Sequence, residues 1–522
     1  MKKYLLICLY ASACMTAPGQ TLVTGYVYED LNRNGKKDRN EKGIAQVAVS
    51  NGTDVILTDE KGKYQCPVAD DHIIFVIKPA GYQATLDEYN LPETYYIHKP
   101  KGSPALHYEG VKPTGDLPGS VDFALHRYEE PESFAAFVFG DTQTYTEEEI
   151  AFLRNGIVAE AGKSTSGVRF GITLGDLVGD ALNLHQPYKE TIRQIGLPWY
   201  NVMGNHDMNY DVKEDSLADE NFELHFGPAS YAFNYGRAHF IVLDDILYPH
   251  PLTGQGYWGG LREDQWRFIE NDLRHVPSDR LIVISMHIPL EDVEEKGAFR
   301  DSDRQRFYSL LDAYPQVLFL SAHTHIQVQN SFGKEQGLNR DTPIHEYNAG
   351  TVCGDWYSGL LDENGIPVST MRDGTPTGYA LLRIDGNRYV IDYKVYGKPQ
   401  SYQIGVYHPQ VVPAGKSTSA AIYANFFMGS KQDTVEYRID NEVWTKMNRV
   451  DEPDPAYSRS VQDWDFVEHL PPGRRPSNPV VCTHLWRGNI PTRLPAGMHR
   501  IEIRAKDRFG RLFTAESTCR VE

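Results

Sequence analysis

Five times between residues 134 and 325 a short, almost wholly apolar run breaks into a turn that carries carboxylate, amide or imidazole groups. The turns are Gly140-Asp141-Thr142-Gln143, Gly175-Asp176-Leu177-Val178-Gly179-Asp180, Gly204-Asn205-His206-Asp207, Met286-His287-Ile288-Pro289 and Ala322-His323-Thr324-His325. Runs such as 134–139, 170–174, 240–243, 281–285 and 317–320 show little apolar/polar alternation, as expected of strands covered on both faces. Helical patterns at 146–162 and 262–276 separate some of them. Strands alternating with helices imply an α/β domain. In such sheets ligands bind beyond the carboxyl ends of the strands, where these polar turns lie.

The rest of the 522-residue chain reads differently. At roughly 100–200 residues per domain, the length predicts about three domains. Residues 21–127 show short β-like runs (22–28, 46–49, 73–77) punctuated by turns at 59–62 and 79–81. They predict an N-terminal β-sandwich accessory domain. Residues 128–132 read as a linker, 133–398 as the α/β domain, and 399–522 as a second β-sandwich with strands at 419–427, 434–439, 499–505 and 514–521. The formal net charge is −18. That balance argues against nucleic acid or an anionic membrane surface as partner, since a polyanion needs a basic footprint. A small phosphorylated substrate remains compatible, because bound cations reverse the local field.

Residues 1–20 read as a signal peptide. Lys2-Lys3 is followed by an apolar run at 4–10 and by the small residues Ala11-Ser12-Ala13. The run is too short to span a bilayer, and no later segment is long and apolar enough. The expectation is an exported protein, periplasmic or at the cell surface. Cys14 directly follows the small residues and offers a lipid-anchor site, as in an outer-membrane lipoprotein; ordinary cleavage before Thr21 explains the segment equally well. Of six cysteines, Cys482 and Cys519 share the C-terminal domain and are candidates for a disulfide.

The donor inventory of the five turns suits two divalent ions. One carboxylate can bridge, while imidazoles and an amide oxygen complete the shells. Two metals about 3.5–4 Å apart would clamp both the attacking and leaving oxygens of a phosphoryl transfer. A further histidine can protonate the leaving group. Alone, a Gly-Asp or His-x-His is a weak signal; the ordered set is specific.

That order resembles the calcineurin-like metallophosphoesterase superfamily, whose blocks run Asp-x-His, Gly-Asp, Gly-Asn-His-Asp/Glu, a lone His after a strand, and Gly-His-x-His. Phe226-Gly227-Pro228 and Leu243-Asp244 resemble it too. The whole chain resembles the bacterial subgroup that flanks this domain with N- and C-terminal β domains. The resemblance implies an α/β fold whose β-sandwich core carries flanking helices. It assigns Asp141 and His325 to metal one, Asp176 to the bridge, and Asn205, His287 and His323 to metal two, the ions being manganese, iron or zinc; Gln143 reads either as a weak amide ligand of metal one or as a hydrogen-bonding group for the substrate. It gives His206 the phosphate contact or the leaving-group proton, oriented by Asp207, with a metal-bridging hydroxide as nucleophile. Gln143 stands where the family usually has His, as in phosphodiesterase- and pyrophosphatase-like branches, so phosphodiester or pyrophosphate-linked substrates are favoured over monoesters. Ala322 replaces a Gly, which matters only if that position needs a positive φ. Gly179 stands where purple acid phosphatases use a tyrosine ligand.

Asp180 reads either as a substrate-side group or as a helix cap. Asp355, Trp356 and Tyr357 follow the turn at 348–350, and the aromatics are candidates for stacking on substrate. His185, His225, His239 and His345 have no motif context and read as structural. In the loop 30–41, Asp30, Asn32, Asn34, Asp38 and Glu41 occupy EF-hand ligand spacing, with Gly35 at the sixth position. Its strand-like flanks resemble calcium loops in bacterial surface β-sandwich modules; a metal-free hairpin is the plain alternative. The Gly-Lys-Ser-Thr strings at 162–165 and 415–418 lack the first glycine of a P-loop. No Gly-x-Ser-x-Gly elbow occurs. The rival of another class is a cell-envelope or glycan-binding protein built on a degenerate phosphoesterase scaffold.

Overall fold

The computed structural model describes residues 21–416 and 418–522; the signal segment and Cys14 lie outside them. The first sandwich pairs two four-stranded sheets. One runs Lys63–Pro67, Leu22–Glu29, Phe123–Arg127, Tyr82–Ala84; the other runs Val55–Leu57, Ala48–Ser50, His72–Val76, Tyr95–His98. Val23, Val27, Val49, Tyr64, Ile74 and Phe123 fill the space between them. Residues 23–27 alternate buried and half-buried positions, as a strand with one covered face must.

Two larger sheets form the centre. The first runs Trp199–Val202, Val168–Leu174, Ser133–Phe139, Gly378–Asp385, Arg388–Val395, and its first three strands are parallel. The second runs Tyr231–Tyr235, Ala238–Val242, Leu281–Ser285, Gln316–Ser321, Ile344–Asn348, Val328–Phe332, with the middle four parallel. The strand at 133–139 explains the unbroken apolar runs. Phe134, Ala136 and Val138 face the second sheet across one core, with Phe240, Val283 and Leu318. Ala135, Phe137 and Phe139 face a second core shared with the helices. The helical stretch at 147–162 starts at a Thr146 cap whose side chain accepts the Glu149 N–H. It passes through a π-helical segment, Arg154–Val158, which the apolar pattern does not announce. Glu263–Leu273 forms the second expected helix.

The C-terminal sandwich pairs Ile404–Tyr407, Ala421–Phe426, Val481–Asn489 and Asn448–Pro453 with Val411–Val412, Leu512–Val521, Gly497–Lys506, Thr434–Ile439 and Thr445–Lys446. It contains a helix the sequence reading missed, Pro455–Asp465. Its signal was present: Asp454 caps the Tyr457 N–H and a proline opens the first turn. Cys482 and Cys519 do not pair. They sit on strands of opposite sheets, both thiols are free, and Cys482 Sγ lies 3.5 Å from His484 Nδ1. No helix among the described residues is long and apolar enough to cross a membrane.

The segment 128–132, read as a linker, is a clasp. Glu130 is buried against Lys78 of the first sandwich at 2.8 Å and also accepts the N–H groups of Gly81 and Gly236. Burial lowers the Lys78 pKa, and Glu130 opposes that shift. Removing one partner of a buried pair leaves an uncompensated charge, so Glu130→Ala should cost about 3–5 kcal/mol. Urea unfolding that matched the wild type would show the clasp carries no load.

Candidate metal centre

All five polar turns converge at one end of the two central sheets. Reaching that point distorts the backbone. Among the described residues twelve non-glycine positions have positive φ, and seven belong to this region: Gln143, Asp176, Asp180, His323, His325, Trp356 and Tyr357. Such strain persists only where surrounding structure over-determines it, and it clusters at functional sites. Glycines make the close approaches. A Cβ on Gly175 (φ +90°) would lie 2.5 Å from the His287 ring, and one on Gly204 would lie 2.0 Å from Asp176 N. Ala322 is absent from the positive-φ set, so alanine fits there without strain.

The donor atoms form one buried cluster. Asp176, His287 and His323 bring ligand atoms within 4.8 Å of one another. His287 Nε2 lies 3.3 Å from Asp176 Oδ2, 3.1 Å from Asn205 Oδ1 and 3.2 Å from His323 Nδ1. Its other nitrogen lies 2.8 Å from the Leu174 carbonyl, which orients the ring. His325 Nε2 lies 3.8 Å from Asp141 Oδ1. Within the donor set of the five turns, two buried oxygens have no hydrogen-bond partner, Asp141 Oδ1 and Gln143 Oε1. Both belong to the candidate ligands of metal one. Unpaired buried oxygens are costly, and a cation would satisfy both, so the residues present fit divalent ions.

The electrostatics agree. Burial lowers His323 and His325, each to about 3, with neighbouring His287 adding to the shift of His323. Neutral imidazoles are the form that binds metal. Burial also opposes charge on His287, but the Asp176 and Asp141 carboxylates outweigh it and raise the ring to about 10. The field at that point favours positive charge.

His206 stands at the mouth with about a quarter of its side chain exposed. Its expected partner is corrected by the structure. Asp180 Oδ1 lies 2.7 Å from His206 Nδ1, whereas Asp207 is fully buried and accepts the N–H groups of Leu177, Val178 and Gly204. Asp207 thereby ties the third turn to the second. His185, read from sequence as structural, backs it, with Nε2 3.1 Å from Asp207 Oδ1. Asp180 is a positioning group for His206 rather than a cap. Burial opposes protonation of His206, but Asp176 and Asp180 outweigh it and raise the ring to about 9.

The 353–357 segment also divides. Trp356 stacks on His325 with ring centres 4.1 Å apart and remains at the mouth. Tyr357 is buried and donates to the Thr142 carbonyl at 2.7 Å, so it packs the first turn instead of meeting substrate. Asp355 is buried; its Oδ2 accepts from Ser358 and from the Ser477 N–H of the C-terminal sandwich, while its Oδ1 has no hydrogen-bond partner. Sequence reading missed three tyrosines at the mouth. Tyr145 packs on Gly179 and near His206, Tyr257 is edge-on to His323, and the Tyr210 hydroxyl donates to the Asn205 carbonyl. It also missed Asp245, which accepts the His287 and Ile288 N–H groups; its place beside Leu243-Asp244 was the available signal.

The C-terminal sandwich reaches the ligand turns from behind. Asp373 Oδ2 accepts the Gln327 N–H at 2.8 Å, two residues after His325, and lies 3.1 Å from His484 Nε2 on the strand Val481–Asn489. His484 Nδ1 lies 2.8 Å from Asn425 Oδ1. Nothing in the sequence links positions so far apart.

In the N-terminal loop the five spaced residues lie within one network of hydrogen bonds. Asp30 accepts the N–H groups of Arg33, Asn34 and Gly35; the Asn32 and Asn34 amides point at Asp38; and Glu41 accepts from Leu31 and Asp38. Burial alone would raise the Asp30 carboxyl, but these backbone bonds hold it below its usual value.

A family model described as the N terminal of calcineurin-like phosphoesterase matches residues 31–109. One described as the C terminal of calcineurin-like phosphoesterase matches residues 346–513. A "Probable glycerophosphodiester phosphodiesterase GpdQ" of Arcobacter nitrofigilis is 26% identical over 179 residues. The match covers 34% of this chain and 63% of that protein, less than two thirds of its length. The Serine-aspartate repeat-containing protein C of Staphylococcus aureus (strain Newman) is 44% identical over 68 residues, 12% of this chain and 7% of its own. Among solved structures, a purple acid phosphatase PPD1 from yellow lupin (Lupinus luteus) seeds superposes with a TM-score of 0.38 at 11% identity, covering 72% of this chain and 66% of that one. Matched by the family's own models towards both ends, the chain belongs to the calcineurin-like metallophosphoesterase superfamily, in the form that carries an N-terminal and a C-terminal domain.

Proposed function

We propose that this chain is an exported, dinuclear-metal phosphoesterase acting on phosphodiesters or pyrophosphate-linked molecules. The observation that carries the reading is the pair of buried, partnerless oxygens on Asp141 and Gln143 beside the Asp176–His287–His323 cluster. Divalent ions, when bound, supply Lewis-acid stabilisation of the phosphoryl oxygens. Asp141, Gln143 and His325 would hold one ion and Asn205, His287 and His323 the other, with Asp176 shared. His206 holds a proton at the mouth, and Asp180 fixes its Nδ1 so that Nε2 can face the leaving oxygen. Family membership and the phosphodiesterase relative support the diester preference, as does the neutral amide of Gln143. Export rests on the segment 1–20.

Elemental analysis after growth with manganese, iron and zinc, followed by hydrolysis of bis-p-nitrophenyl phosphate, tests the reading. Faster hydrolysis of p-nitrophenyl phosphate would make the enzyme a monoesterase. Protein without bound metal and without hydrolysis of either ester would be a degenerate scaffold serving a binding role.

The N-terminal loop is proposed to bind calcium through Asp30, Asn32, Asn34, Asp38 and Glu41. A ligand that binds only the folded state stabilises it by about 2.7 kcal/mol at a hundred times its Kd. Calcium should therefore raise the melting temperature of the N-terminal transition in the full chain. Asp30→Ala with Glu41→Ala should remove that shift. No shift at millimolar calcium would leave the plain hairpin.

A further inference from the structure

The C-terminal sandwich also walls the mouth. The short strand Gly359–Leu360 follows Trp356 closely and pairs antiparallel with Gly473–Arg474. The Arg474 guanidinium donates to the Trp356 carbonyl, and the Ser477 N–H donates to Asp355 at 2.6 Å. These bonds join the segment 471–477 to the residues beside His325. The first of these strands, with Val368 and Thr370, lines a groove of about 470 Å³ whose other wall is the helix Pro455–Asp465 and the chain after it. Leu360, Val368, Trp464 and Val467 make its surface largely hydrocarbon.

The apolar exposure here is concentrated. Leu360, Leu361 and Val368 on one side, with Phe466, Val467 and Leu470 on the other, account for six of the nineteen large hydrophobic side chains left exposed among the described residues. Three more are the mouth tyrosines Tyr145, Tyr210 and Tyr257. Exposed apolar patches of this kind mark binding sites, and the volume lies in the range of small-molecule pockets, about 300–1,000 Å³.

Its occupant follows from where the groove begins. Leu360 lies four residues along the chain from Trp356, whose ring rests on His325. Four residues of chain span at most about 14 Å, which bounds the distance from Trp356 to the edge of the groove. Arg474 stands at this junction, its guanidinium bonded to the Trp356 carbonyl. The arrangement runs from metal ligands through one arginine to an apolar trough, which matches a molecule with one phosphodiester charge and an aliphatic tail.

We propose that this groove binds the alkyl or acyl chain of the substrate, so that the enzyme prefers amphiphilic phosphodiesters to small polar ones. The proposal rests on the phosphodiesterase reading above. The test is a series of alkyl p-nitrophenyl phosphates, from methyl through butyl to octyl, each kept below its micelle concentration, with the metal-loaded full chain. A fully buried methylene is worth about fourfold in affinity. kcat/KM should therefore rise at least tenfold from butyl to octyl, mainly through KM. In a Leu360→Ser/Val467→Ser variant, both positions being exposed, the octyl-to-methyl ratio of kcat/KM should collapse at least tenfold while the melting temperature stays within a few degrees. A flat chain-length profile in the wild type, with the methyl ester hydrolysed, would overturn the tail site and leave the phosphodiesterase intact. A flat profile with binding to phosphatidylcholine vesicles that the variant loses would assign the groove to a membrane surface and overturn the proposal likewise. Failure to hydrolyse any ester of the series would remove the phosphodiesterase reading and this inference with it.

Discussion

Asp176→Asn is expected to abolish metal-dependent turnover while leaving the protein folded. The side chain is buried, with Oδ1 accepting the His206 N–H at 2.8 Å and Oδ2 lying 3.3 Å from both His287 Nε2 and Gln143 Nε2. Asparagine keeps the volume but loses the charge two cations would share, and one of its atoms becomes a donor facing donors. Losing a single preorganised electrostatic contact typically costs about 10²–10³ in rate; a shared ligand should cost at least the upper end of that range. Metal content should fall below two ions per chain, with an unchanged far-ultraviolet dichroism spectrum. Wild-type metal content and turnover in this variant would sink the site.

His206→Ala should keep the metals and lose about 10²–10⁴ in rate, the usual contribution of a general acid. The loss should be greater for alkoxide leaving groups than for p-nitrophenolate, since only the former need the proton. Asp180→Asn adds a pH readout. The acid must be protonated, so activity falls as pH rises through the His206 pKa, which the Asp180 carboxylate 2.7 Å from Nδ1 raises. Removing the Asp180 charge lowers that pKa, so the alkaline fall should begin at lower pH. Equal losses for good and poor leaving groups would make His206 a phosphate-binding residue.

The convergence of the five polar turns was legible because each couples two strong local signals, an apolar strand and an abrupt break bearing donor groups. The strand at 281–285 and the turn bearing His287 are the clearest case. The partner of His206 was not legible. Asp207 is its neighbour in sequence, but in the short 3-10 turn Asn205–Asp207 successive side chains point apart. Asp207 therefore turns inward to three N–H groups and His185, while Asp180 arrives from another strand. The mouth tyrosines and Arg474 carry no pattern of their own, because a rim is assembled from loops whose ends meet only in the fold. The clasp at Glu130 was hidden for the opposite reason: a charged, proline-containing stretch reads as solvated until Lys78 supplies its partner.

The bond from Asp373 to the Gln327 N–H, backed by His484, limits how this protein can be dissected. The backbone that aims His325 leans on a carboxylate whose own support comes from the far sandwich. A chain ending near residue 398 would leave that carboxylate without His484 and slacken the turn carrying both His323 and His325. The smallest catalytically competent fragment therefore extends past the α/β fold into the C-terminal sandwich. The boundary drawn by strand pattern and the boundary of the working enzyme do not coincide, and grafting this catalytic domain onto another C-terminal module would require the new partner to supply its own imidazole at that spot.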